Sequence, residues 1–188
     1  MFIISLIGSS LYADFKIMGG LNLSKYSGDE STIWSYKMGF QGGIGIEIDL
    51  TYRTLFEVDV LFFQKGSRTG SSTEEERHVL NTMSIPVLLR SKLFHGNSPY
   101  LVGGIEFAGI LSNMLVQKQK DPVDLEGNLK GLDFGVVFGG GFEMEVKEKL
   151  FLFIEMRYHH GLKNLLVIPN EGLSRKTTAF MLLIGIRS

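Results

Sequence analysis

Residues Lys37 to Asp49 read KMGFQGGIGIEID. Met38, Phe40, Ile44, Ile46 and Ile48 fall on one parity, and Lys37, Gly39, Gln41, Gly43, Gly45, Glu47 and Asp49 on the other. A period of two is that of a β-strand, whose successive side chains point to opposite faces. One face here is wholly apolar, and the other is glycine interleaved with charge. A strand with faces this different separates two different environments, and the fold follows from finding what those environments are.

The same pattern recurs along the chain. Arg53 to Phe63 sets Thr54, Phe56, Val58, Val60 and Phe62 against Arg53, Glu57 and Asp59. Leu132 to Val146 sets Phe134, Val136, Phe138, Phe142 and Met144 against Asp133, Gly135, Gly139, Gly141, Glu143 and Glu145. Phe151 to His160 sets Leu152, Ile154, Met156 and Tyr158 against Glu155, Arg157 and His159. Weaker alternation runs through Phe15 to Leu23, Val79 to Leu93, Tyr100 to Ser112 and Thr177 to Arg187. This makes about eight strands of roughly ten residues, the length that crosses a bilayer when tilted.

The connections alternate in length. Asp49 to Arg53, Phe94 to Ser98 and Val146 to Lys149 are tight polar turns, whereas Ser24 to Thr32, Gly66 to His78, Asn113 to Lys130 and Asn164 to Lys176 are longer polar stretches. Short turns at one rim and long loops at the other, with both termini on the short side, describe an up-and-down barrel. The reading is all-β: an eight-stranded antiparallel transmembrane barrel with a polar lumen, short periplasmic turns and longer extracellular loops.

Composition agrees and excludes several alternatives. The 188 residues include 23 glycines, 4 prolines and no cysteine. No disulfide framework, thiolate metal site or cysteine nucleophile is therefore available. With 19 Lys+Arg against 20 Asp+Glu the net charge is -1, so no strong overall field points to nucleic acid or anionic lipid. Mean hydropathy is +0.14 although 21% of residues are charged, because the charges are spread through the apolar segments. Residues 1–13, MFIISLIGSSLYA, carry no charge and end in small residues; they read as a secretory signal peptide, the alternative being an ordinary first strand. Residues 14–188 then form the barrel domain.

Alternation alone does not say which face is inside. A soluble lipocalin-like carrier holds its apolar face inward around a ligand, and a membrane barrel turns it towards lipid. The glycines on the polar face favour the membrane arrangement, since a small lumen needs room for long charged groups. The aromatics do too: Tyr36, Phe62, Phe107, Phe134 and Tyr158, with Trp34 nearby, lie towards the long loops, and Phe15, Tyr52, Tyr100 and Leu152 towards the other end. Such bands mark membrane interfaces. Glu57, Asp59, Glu106, Glu143 and Glu155 then project inward beside Lys37, Arg90 and Arg157. Isolated charges there are costly, so these eight residues are expected to form a connected network that plugs the lumen.

Several segments carry a family resemblance: LFEVDVLFFQKG (Leu55 to Gly66), IPVLLR (Ile85 to Arg90), PYLVGG (Pro99 to Gly104), DFGVVFGGGFE (Asp133 to Glu143) and EMRYHHGLKN (Glu155 to Asn164). Their order resembles the outer-membrane β-barrel domain family, of the PorT-like kind common in Bacteroidetes. The resemblance implies location in the outer membrane of a Gram-negative bacterium and supplies no catalytic residues. Pro86, inside a strand segment, is expected to mark a bulge or local break. The chain ends Ile186-Arg187-Ser188, where barrels of this class usually end in an aromatic residue.

The remaining chemistry is thin. His159-His160 beside Glu155 invites comparison with outer-membrane lipid hydrolases, but His159 is on the inward parity, His160 on the outward one, and Ser174 could approach only from a loop. His78 and His95 are lone loop residues, Glu74-Glu75-Glu76 is a solvated charge run, and Gly139-Gly140-Gly141 lacks the following lysine of a phosphate loop. No catalytic, metal or cofactor residue is assigned. The expectation is a monomeric, non-enzymatic barrel that contacts outer-membrane lipid, with loops free to bind a surface or envelope protein. The rivals are a soluble carrier of an apolar ligand and a lipid-modifying hydrolase.

Overall fold

The computed structural model describes residues 13–28, 35–69, 76–117, 123–124, 131–164 and 175–188. Residues 1–12, Trp34, Glu74, Glu75 and Ser174 lie outside them, and with them most of the leader segment and the loop serine. The strands are β1 (Ala13–Gly28), β2 (Ser35–Asp49), β3 (Thr54–Thr69), β4 (Glu76–Lys92), β5 (Ser98–Gln117), β6 (Val123–Asp124), β7 (Leu132–Lys147), β8 (Leu150–Gly161) and β9 (Arg175–Arg187). The eight long strands pair antiparallel with their neighbours and close as a ring, β1 bonding both β2 and β9 and β4 bonding β5. The two-residue β6 adds to the loop end of β5.

Register defines the barrel. Cross-strand partners run from Phe15 through Ile46, Val58, Val87, Ile105, Val136, His160 and Thr178 back to Lys25, so a full circuit advances β1 by ten residues. A stagger of that size over eight strands corresponds to a tilt of about 40° and a radius of about 8 Å. That interior has room for side chains and little else.

Apolar side chains face outward on every long strand. Phe15, Ile17, Leu21 and Leu23 on β1, Met38, Phe40, Ile44 and Ile46 on β2, and Phe180, Leu182, Ile184 and Ile186 on β9 are all exposed on the outer surface. Met38 to Ile48 alone spans about 25 Å along the axis at this tilt, the height of a hydrocarbon belt. In water so continuous an apolar surface would drive association. The inverted arrangement of a soluble carrier is not the one found.

The strands outrun the sequence segments at the loop end, where β1 continues to Gly28, β3 to Thr69, and β5 to Gln117. Part of each expected long loop is therefore strand, and His78 belongs to β4 with its ring 6.1 Å from that of Tyr26. The turn end holds Leu50–Arg53, Leu93–Asn97 and the two-residue turn Glu148–Lys149. Arg53, grouped by parity with Glu57 and Asp59, lies in the exposed first turn instead. At Pro86 the β3–β4 pairing lapses between Val58↔Val87 and Leu61↔Ser84, and the register on either side is unchanged. The missing N–H thus interrupts the ladder without a bulge.

One aromatic belongs elsewhere than expected. Tyr100 is inside and 1% exposed. It shares parity with Val102 and Glu106, and its ring lies 4.1 Å from the Arg90 guanidinium carbon, a contact unavailable from the lipid face. The lumen is also less polar than expected. Phe63, Leu88, Val102, Val137, Ala179 and Met181 form one inward apolar cluster and Met18, Leu61, Phe153 and Leu183 another. These mostly sit in runs such as Leu61-Phe62-Phe63 and Met181-Leu182-Leu183, where apolar residues occupy both faces.

Candidate functional site

Inward side chains form a turn-end charged tier and a loop-end polar tier, with the apolar clusters packed beside them: Leu88 is the cross-strand partner of Glu57, Phe153 of Glu143, Met181 of Arg157 and Ala179 of His159. Five cations and six carboxylates make up the turn-end tier: Lys16, Arg90, Lys92, Arg157 and Arg187 with Asp14, Glu47, Glu57, Asp59, Glu143 and Glu155. Arg90 is its hub, fully buried on β4. Its guanidinium reaches Glu47, Glu57 and Glu155 at 3.2 Å and Glu143 at 3.4 Å, and it stacks on Tyr100. One side chain thereby ties β4 to five other strands.

Arg157 on β8 donates to Glu57 at 2.6 Å and Asp59 at 2.8 Å and also contacts Glu155. Lys16 on β1 lies 3.0 Å from Asp59 and 3.5 Å from Glu47, and pairs with Glu57. Nearer the turns, Lys92 meets Glu143 at 2.5 Å. Arg187 reaches Glu143 at 3.3 Å and Glu47 at 3.4 Å and pairs with Asp14. Arg187 thus ties the last strand to β1, β2 and β7. Glycine makes this density possible at Gly45, where an added Cβ would lie 2.1 Å from Asp59 Oδ1 and 2.8 Å from Lys16 Cε.

The loop-end tier is separate. Lys65 Nζ lies 3.0 Å from Glu106 and 3.9 Å from Asp133. The buried His159 ring sits among them, with Nδ1 3.3 Å from Glu106 and Nε2 3.3 Å from Thr177 Oγ1, whose hydroxyl donates to Asp133 at 2.7 Å. Lys37 faces inward farther towards the loops, its ammonium 3.4 Å from Gln64 Oε1.

Of the eight residues singled out from sequence, the structure brings Glu57, Asp59, Arg90, Glu143, Glu155 and Arg157 into one tier. Glu106 lies in the other, and Lys37 in neither. Lys16, Glu47, Lys92, Asp133 and Arg187 were legible by parity alone. Lys65 lies beyond the Arg53 to Phe63 segment of clear alternation, and the inward parity of β3 continues two residues further to reach it.

His160 points outward, its ring 6.4 Å from that of Tyr158, while His159 is enclosed on the other face. Among the described residues no group of three or more His, Asp or Glu is arranged to hold a metal ion. His95 stacks on Tyr52 in the turns, with ring centroids 5.6 Å apart. On the outer face aromatics gather towards the loops, with Phe138 5.1 Å and Phe180 4.9 Å from Tyr158, and Phe107 5.2 Å from Phe134.

Comparison with known proteins matches this architecture. The model of the family described as "Outer membrane protein beta-barrel domain" matches residues 8–167. No curated protein matches the chain. Among solved structures it is similar to Neisserial surface protein A of Neisseria, at 13% identity over 92% of this chain and 95% of that one, with a TM-score of 0.57. Outer membrane protein OprG from Pseudomonas aeruginosa gives 12% identity, 95% and 97% coverage and a TM-score of 0.53. Outer membrane protein W of Escherichia coli gives 14%, 93% and 97%, and 0.53. At such identities the likeness is one of fold, and it is the family match over most of the chain, joined to the lipid-facing belt, that carries the conclusion: the chain belongs to the outer membrane protein β-barrel domain family and resides in the outer membrane of a Gram-negative cell.

Proposed function

We propose that this barrel is non-enzymatic and closed, a membrane anchor that presents its loops for contact at the cell surface. The observation that carries this reading is the packing of the lumen. Arg90, Lys16, Lys65, Glu57, Asp59, Glu155 and Phe63 are all fully buried, and the apolar clusters fill the lumen beside the charged tiers. An ion crossing would have to break pairs in both tiers within an interior of about 8 Å radius. His159 supports the non-enzymatic reading, because its ring is fully buried inside the lumen, away from any lipid substrate.

Contact with outer-membrane lipid, with an envelope or surface protein through the loops, and a monomeric state belong to the same proposal. So does the finer likeness to PorT-like barrels, which rests on the strand motifs at Leu55 to Gly66 and Asp133 to Glu143. Planar bilayers test closure directly: purified protein is expected to show only rare, small current steps, and large, steady channels in every insertion would overturn it. A lipid acyl-hydrolase assay with His160→Ala addresses the enzyme rival, which would be upheld by activity lost in that variant.

A further inference from the structure

The outer surface changes character at one edge of its apolar belt, on the adjacent strands β9, β1 and β2. Towards the loops, β1 presents Ile17, Leu21 and Leu23 and then Lys25. β9 presents Ile186, Ile184, Leu182 and Phe180 and, beyond the buried Thr178, whose hydroxyl donates to the Lys25 carbonyl, Lys176. β2 presents Ile46, Ile44, Phe40 and Met38 and ends on Tyr36. Lys25 Nζ lies over the Tyr36 ring, 5.0 Å from its centroid. Tyr36 continues into Phe180 at 6.2 Å and Phe180 into Tyr158 at 4.9 Å. Lys25 pairs with Thr178, and Lys176 with Ser27. The two lysines are therefore diagonal neighbours on one face, roughly 7–8 Å apart at the backbone.

The opposite edge differs. At the turn end the outward positions of the same strands close on Phe15, Ile48 and Ile186, without charge. Among the described residues no outward position of these three strands is acidic. A single lysine at a membrane interface needs no ligand beyond water, since its stem covers apolar surface while its head snorkels. Two lysines at headgroup depth, in one leaflet, one of them held over an aromatic face, concentrate cationic charge with no acidic partner among the described residues. That leaflet is the outer one, on the loop side of the barrel.

We propose that Lys25 and Lys176, seated on the Tyr36–Phe180 aromatic shelf, bind the headgroup phosphate of an anionic glycolipid of the outer leaflet. The aromatics carry the sugar and proximal acyl chains, and the two ammonium groups share the phosphate. The site rests on the outward belt and is independent of whether the lumen conducts.

Native mass spectrometry of the full chain folded in detergent micelles tests this, with phosphorylated and fully dephosphorylated lipid A as probes. The wild type is expected to retain the phosphorylated form preferentially. Lys25→Gln should weaken retention roughly fivefold and Lys25→Gln/Lys176→Gln roughly 20–30-fold, while Lys25→Arg and the turn-end control Lys147→Gln leave it unchanged. Heat-modifiable gel mobility establishes that each variant is folded. Equal retention by wild type and double variant, or equal affinity for the dephosphorylated lipid, would overturn the assignment. So would displacement by millimolar inorganic phosphate, which would mark a site for the free anion.

Discussion

Replacing Arg90 by methionine removes the hub of the turn-end tier while keeping a side chain of similar length. In the wild type five cations face six carboxylates, and Arg90 alone touches Glu47, Glu57, Glu143 and Glu155 at 3.2–3.4 Å. Without it four cations face six carboxylates. Each abandoned carboxylate keeps another partner: Lys16 or Arg187 for Glu47, Lys16 or Arg157 for Glu57, Lys92 or Arg187 for Glu143, and Arg157 for Glu155. The loss is then that of one buried ion-pair partner, about 3–5 kcal/mol, and not of four. Arg90→Lys keeps the charge but gives up the planar fork and the stack on Tyr100, at a cost of about 1–2 kcal/mol. Arg90→Met/Glu47→Gln returns the tier to a one-charge excess and should recover at least half of the single-variant loss. Reversible urea unfolding of barrels refolded into lipid vesicles, followed through gel mobility, measures all three. If Arg90→Met does not fold, Arg90→Lys and the double variant still order the series. A loss below about 1 kcal/mol for Arg90→Met, or no recovery in the double variant, would refute the view that charge balance holds this tier together.

The same assay reads three further changes. Ile44→Arg, near the middle of the lipid-facing belt, should cost about 2–4 kcal/mol, whereas Lys147→Glu at the exposed turn end should leave the midpoint where it was. Gly45→Ala places a methyl against Asp59 and Lys16 and is expected to cost about 1–3 kcal/mol; Gly42→Ala, on the outward face with its nearest neighbour at 3.4 Å, should cost far less. His159→Leu leaves Lys65 alone between Glu106 and Asp133 and should destabilise by about 1–3 kcal/mol, with His160→Leu distinctly milder.

Much of the architecture was readable before folding because a strand's two faces alternate by local backbone geometry. Lys37 to Asp49 needed no partner strand to show that Ile44 and Glu47 face opposite ways. The turn and loop ends followed from where polar residues interrupt the alternation, although β3 and β5 run beyond those interruptions into the loop segments. Parity weakened where both faces are apolar. Leu61, Phe63 and Leu88 carry no local sign of filling the lumen, and Tyr100, at a strand end like an interface aromatic, shares the inward parity of Glu106.

Alternation is thus enough to show a barrel of strands with one apolar and one charged face, and the glycines on the polar face favour the apolar face outward, since both are properties of short segments. Which inward residues meet is a property of closure. Arg90 and Glu155 come together because a stagger of ten residues over eight tilted strands brings β4 and β8 to one height across a narrow lumen, and Lys37 and Arg90 stay apart for the same reason. That stagger is set jointly by every register around the ring. No single segment contains it, and so the division of the charges into two tiers emerged only in the closed barrel.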